Sequence, residues 1–126
     1  MEGIAYCHAK QISHRDIKLE NILMNEDGDL KIIDFGFSTC IPNNVKVRMF
    51  CGTPSYMAPE IVNKREYCGP PADIWALGVL LYAILGGSFP FTGRSDKELY
   101  RRITQRSFQY PNAITNDQRK VIDSMI

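Results

Sequence analysis

Residues His14 to Asn21 read HRDIKLEN and place a carboxylate, an ammonium and a carboxamide on one short stretch. Asp16 could accept a proton from a substrate hydroxyl. Lys18, two residues on, could neutralise charge on a moving phosphoryl group. Asn21 stands five positions after Asp16, and Asp34 opens the tripeptide Asp34-Phe35-Gly36. Both offer the hard oxygen atoms that magnesium takes as ligands. Phosphoryl transfer from a metal-bound nucleotide asks mainly for positioning and charge neutralisation, and this layout supplies both. Taken singly, Lys18 is as well explained by a surface ion pair. The eight-residue string followed by Asp-Phe-Gly is poorly explained by chance.

Several elements must hold these residues. Glu2 to Lys10 has Ile4, Ala5 and Cys7 or His8 at near-helical spacing and reads as the end of a helix. Gln11 to Asn21 is polar and reads as a loop. Ile22-Leu23-Met24 and Leu30 to Ile33 read as strands around the Asp27-Gly28 turn signal. A tight hairpin returns the chain to its starting point, which predicts Asp34 beside Asn21. Gly36 to Pro59 lacks a period and reads as a long surface segment, a type of loop that is often functional. Asp73 to Leu85 is expected to be a helix with Asp73 at its N-terminus and Gly86-Gly87 as its stop. It is apolar on every face, which predicts burial all round in a span too short to cross a membrane. Asp96 to Gln105 reads as an amphipathic helix anchored by Leu99 and Ile103. A last helix, capped by Asn116 or Asp117, carries Val121, Ile122 and Met125.

Composition bounds the rest. The 126 residues fit one domain, with 44% hydrophobic and 23% charged residues, enough to build a core. A net charge of +1 gives no drive toward nucleic acid or an anionic membrane. Cys7, Cys40, Cys51 and Cys68 contain no Cys-x-x-Cys pair and read as reduced thiols. His8 and His14 read as structural histidines rather than metal ligands. The N-terminal residues lack the pattern of a signal peptide, so the expected location is cytoplasmic, with the nucleus open.

These motifs together resemble the eukaryotic protein kinases. His14-Arg15-Asp16 through Asn21 is similar to the catalytic loop, and Asp34-Phe35-Gly36 to the magnesium motif. Ala58-Pro59-Glu60 is similar to the motif closing the activation segment, and Asp73-Ile74-Trp75 with Gly78 to the start of the large lobe's buried central helix. The resemblance implies a mainly α fold with a small β-hairpin, ATP and magnesium as cofactors, and a protein substrate accepting phosphate on Ser or Thr. It implies Asp16 as catalytic base, Asn21 and Asp34 as metal ligands, and Lys18 as the serine/threonine-type lysine. Thr53 is similar to the threonine that bonds the catalytic Asp and Lys. Leu23 matches an apolar residue under the adenine ring, a role compatible with a plain core leucine. Glu20 matches a position facing basic substrate residues, although an exposed loop glutamate reads nearly as well. Tyr67-Cys68-Gly69-Pro70 and its neighbours look most like the calcium/calmodulin-dependent group, near the AMP-activated and microtubule-affinity-regulating kinases.

Three departures from the family qualify that reading. No G-x-G-x-x-G loop and no Val-Ala-x-Lys strand occur, so the resemblance covers a large lobe without its small lobe. The nucleotide would have a floor and no roof, and the fragment alone is expected to be nearly inactive. The arginine that pairs in the family with the glutamate matching Glu60 would lie beyond Ile126. Met49 stands where many relatives carry a phosphorylated threonine, and is expected neither to accept phosphate nor to pair with Arg15. The competing expectation is an inactive kinase remnant that binds partners or has no function.

Overall fold

A computed structural model describes residues 1–42 and 45–126. Helix α1 (Glu2–Ala9) leads into a two-residue strand β1 (Ile12–Ser13), then a 3-10 turn at Leu19–Asn21. Strands β2 (Ile22–Met24) and β3 (Leu30–Ile32) form the expected antiparallel hairpin, with Ile22 opposite Ile32 and Leu23 opposite Lys31. Its turn is closed by Asn25, whose Oδ1 accepts from the Asp29 N–H at 2.7 Å, and by Gly28 at φ 86°. Strand β4 (Thr39–Cys40) pairs antiparallel with β1, Ile12 against Cys40 and Ser13 against Thr39. The polar composition around residue 12 hides this second pairing, since a ladder of two residues needs no hydrophobic alternation.

The segment from 36 to 59 is more deeply anchored than a surface loop. Ile41, Cys51, Tyr56, Met57 and Ala58 are buried, and Val47 bridges to Tyr67. A 3-10 turn at Pro54–Tyr56 and the short helix α2 (Pro59–Val62) follow, each with proline in its first turn. Between these anchors Phe37, Val45, Met49 and Phe50 are each about half exposed.

Helix α3 runs from Gly69 to Gly86, 18 residues, and so begins four residues before Asp73. Pro70 and Pro71 open it, because proline is pre-set for a first turn and breaks a helix elsewhere. Asp73 is therefore inside the helix and is 1% exposed rather than capping it. Gly87, in the left-handed conformation at φ 71°, ends the helix as expected. Burial is not uniform. Val79, Trp75, Tyr82 and Leu80 are buried, whereas Ile84 is 60% exposed, and Leu77 and Leu81 are half-buried. The side carrying Leu77, Leu80 and Ile84 lines an apolar groove of about 490 Å³ shared with Ile4, Ile22 and Ile32. Length and composition alone would let this helix cross a membrane. Half of it is packed inside the chain and it carries a bonded aspartate, the marks of a core helix.

Helix α4 (Asp96–Gln105) has the expected bounds, with Leu99 and Ile103 buried and Ser95 capping it through the Glu98 N–H. Helix α5 (Asn116–Asp123) is capped by Thr115 with Gln118 in a reciprocal box, one residue earlier than expected. Its end crosses α3 at Gly78, where any Cβ would lie 2.6 Å from Ile126 and 2.7 Å from Met125. The core closes on an aromatic stack of Trp75 and Phe91, 5.8 Å apart, extended by Phe108 and Tyr82.

Candidate active site

The β1–β4 pairing closes residues 13–40 into a loop with the hairpin inside it. The catalytic-type residues 14–21 therefore enter beside the Asp34-Phe35-Gly36 exit. Two backbone and side-chain ties tighten this arrangement. The Ile33 N–H donates to the Asn21 carbonyl at 3.0 Å, the hairpin return that the sequence implies. His14 Nε2 bonds the Ile33 carbonyl at 3.0 Å, while its Nδ1 accepts from the Asp16 N–H at 3.3 Å. These two roles require the neutral ring with its proton on Nε2, a tautomer assigned from the network. The ring also meets Phe35 edge-on at 4.8 Å. His14 is fully buried and links Asp16 to the residue preceding Asp34.

Asp73 anchors the loop from below. Its carboxylate accepts the His14 N–H at 2.9 Å and the Arg15 N–H at 2.8 Å, and bonds His8 Nε2 at 2.8 Å. Arg15 adopts φ 66°, a conformation that L residues avoid and that a surrounding network must hold. Asp34 does the same at φ 58°. Sequence reasoning placed Asp73 at a helix start and missed this role. The available signal was a single charge in an otherwise apolar 18-residue helix.

Asp16 is 5% exposed and has partners on both oxygens. The Thr53 hydroxyl donates to Oδ1 at 2.9 Å, and Lys18 Nζ lies 2.8 Å from Oδ2. Lys18 also donates to Thr53 Oγ1 at 3.2 Å, which closes a triangle. Burial pushes the Asp16 carboxyl up, but the hydrogen bonds from Lys18 and Thr53 and the Lys18 charge outweigh it. The net result is a carboxyl held below its usual range. The bond to Asp16 raises Lys18 against the opposing effect of burial, and the charges of Asp16, Glu20 and Asp34 add to it. Asp34 thus acts on Lys18 through its charge, whereas Asp16 bonds it directly.

Asn21 donates from Nδ2 to the Asp16 carbonyl at 2.9 Å and toward Asp16 Oδ2 at 3.4 Å. That fixes the amide so that its oxygen is left for another group. Asp34 is exposed, and its carboxylate accepts from its own Gly36 N–H at 3.1 Å. An amide oxygen and a carboxylate with spare lone pairs are donors that magnesium accepts, so the pair fits that ion. Leu23 is 52% exposed on the hairpin face opposite Ile22, and Glu20 is exposed on the 3-10 turn. Glu60 is half-buried and forms no ion pair among the described residues.

Met49 forms no ion pair with Arg15, yet the two side chains touch. The Met49 sulfur lies 3.2 Å from Arg15 Nη1, while Arg15 Nε donates to the Phe37 carbonyl at 2.6 Å. A thioether is a weak acceptor, and the sequence argument considered only anionic partners.

A buried aspartate bonded by a lysine and a threonine, next to an asparagine and an Asp-Phe-Gly, is the arrangement of a phosphoryl-transfer domain. The chain belongs to the protein kinase domain family, which it matches over residues 1–126. It is 40% identical to CBL-interacting protein kinase 5 of Oryza sativa subsp. japonica, across 98% of this chain and 28% of that protein. It is 41% identical to CBL-interacting serine/threonine-protein kinase 20 of Arabidopsis thaliana, across 98% of this chain and 29% of the relative. The probable serine/threonine-protein kinase MARK-C of Dictyostelium discoideum is 41% identical across 100% of this chain and 16% of its own length. These relatives are serine/threonine kinases of the type that the sequence motifs suggested. The chain spans less than a third of the length of each of them.

Proposed function

We propose that this chain forms the catalytic face of a serine/threonine protein kinase that transfers the ATP γ-phosphate to a protein hydroxyl. The observation that carries this reading is the Asp16–Lys18–Thr53 triangle, since the Lys18 and Thr53 side chains converge on one buried carboxylate. Asp16 receives the acceptor hydroxyl and takes its proton. With its carboxyl held low, it is a weak base that stays ionised, which suits orientation of the hydroxyl and late proton transfer. Lys18 places its charge where the phosphoryl group passes. Asn21 and Asp34 are the residues that would hold magnesium, which when bound neutralises charge on the phosphates. Leu23 offers an apolar floor for the base of ATP, and Glu20 an acidic contact for basic residues near the acceptor. Helix α3 is the large lobe's central helix, and through Asp73 it fixes the loop. The proposed setting is intracellular, where ATP is available.

The completeness of this polar set favours catalysis over a decayed remnant. A chain freed from phosphoryl transfer gains nothing from burying a carboxylate between a lysine and a threonine.

The test is transfer of radiolabelled γ-phosphate to a serine peptide flanked by arginines. It is measured on residues 1–126 alone and on the same residues preceded by the small lobe of a related serine/threonine kinase. The chimera is expected to transfer phosphate and the short chain to be nearly inactive. Asp16→Ala in the chimera should lower kcat by about 10²–10⁴-fold while the protein remains folded by circular dichroism. Near-normal turnover in that variant would defeat the reading.

A further inference from the structure

Arg15 extends its guanidinium across the segment at residue 49, where Nη1 meets a sulfur atom at 3.2 Å. Asp73 holds the Arg15 backbone N–H, and Nε donates to the Phe37 carbonyl, while the Tyr67 side chain lies within reach of the same cation. The thioether is the weakest acceptor among these partners. Met49 is 50% exposed, so a small oxidant reaches its sulfur. The other methionines differ. Met57 is 5% exposed, Met125 is half-buried, and the open Met1 and Met24 have no hydrogen bond to sulfur among the described residues.

We propose that Met49 is a methionine-oxidation site whose sulfoxide oxygen is held by Arg15. The co-reactant is a peroxide. Hydrogen peroxide gives one oxygen atom to a sulfur lone pair, the O–O bond breaks, and the peroxide leaves as water. The thioether is oxidised by two electrons to the sulfoxide, and sulfoxide reductases restore it. The product replaces a weak acceptor with a polar oxygen in front of a guanidinium, a charge-assisted bond. Because Arg15 directly precedes Asp16, oxidation ties the middle of the long segment to the catalytic loop. The site needs no phosphate and does not depend on the chain's phosphotransfer activity.

The test treats the 126-residue chain with dilute hydrogen peroxide, maps sulfoxides by peptide mass, and follows amide hydrogen exchange over residues 45–53. Exchange there is expected to slow about fivefold, the size of change when a weak bond becomes a charge-assisted one. Met49→Gln, which supplies an amide oxygen on an unbranched chain, should show the slowing without oxidant. Met49→Leu should abolish the response while Met24 still oxidises. Unchanged or faster exchange in protein carrying the Met49 sulfoxide overturns the proposal, as does a response that survives in Met49→Leu.

Discussion

Asp16 and Asp34 are held in opposite ways. Asp16 is buried, with Thr53, Lys18 and Asn21 around its carboxylate. Asp34 is exposed, and its one hydrogen bond among the described residues is to a backbone N–H two residues along its own loop. The first is completed by the protein itself. The second keeps its acceptor capacity in reserve, which is how a ligand for an incoming cation has to be kept. On the function proposed above, preorganisation is concentrated at the residue assigned to the substrate hydroxyl, and lone pairs are left at the one assigned to an ion.

Removing supports from each side should break or sharpen this contrast. The largest effect is expected at Asp73, because Asp73→Ala leaves the His14 and Arg15 N–H groups and His8 without their buried acceptor. Urea unfolding should show a loss of about 3–5 kcal/mol. Asp34→Ala should cost less than about 0.5 kcal/mol in the same experiment, as for an exposed position. Equal losses would erase the distinction between a protein-completed acid and one held in reserve.

A smaller effect is expected at Thr53. Thr53→Val removes the donor to Asp16 Oδ1 and should cost about 1–3 kcal/mol. It should also let the Asp16 carboxyl rise, visible by carboxyl NMR titration. A carboxyl that stays put would assign its lowered value to Lys18 alone.

The smallest effect is the pH dependence. The Asp16 carboxyl lies below 3.8 in the folded chain, so its contribution is present above that value and is lost as pH falls through the folded pKa. Lys18 lies above 10.5 when folded, so its contribution is complete below 10.5 and is lost as pH rises through its raised value. A plot of Tm against pH should therefore fall at both ends. Lys18→Met should flatten the alkaline limb and weaken the acidic one, and an unaltered alkaline limb would count against the pair.

The sequence made the chemistry legible and left its scaffolding partly hidden. The hairpin, α4 and the end of α3 follow from local rules that the residues obey: Asp-Gly at a turn, apolar residues at i and i+4, and glycine at a helix end. Asp16, Lys18 and Asn21 could be grouped from motif spacing, and Thr53 joined them through the family resemblance. Three things could not. The start of α3 was misjudged because Asp73 is a good capping residue, and only tertiary contacts show that it is spent on the loop. The β1–β4 pairing joins residues 26 and 28 positions apart without any apolar pattern. The Arg15–Met49 contact depends on where a non-periodic segment settles, which no local propensity encodes.

The bonds from Asp73 to the backbone of His14 and Arg15 span 59 and 58 positions. Closing so long a stretch of chain must be offset by later packing, so these contacts form only once α3 has docked. During synthesis the catalytic loop is thus left without its anchor until the ribosome has released residue 73 and the helix around it. A nascent chain cannot hold residues 14–21 in their final geometry before it has acquired its core.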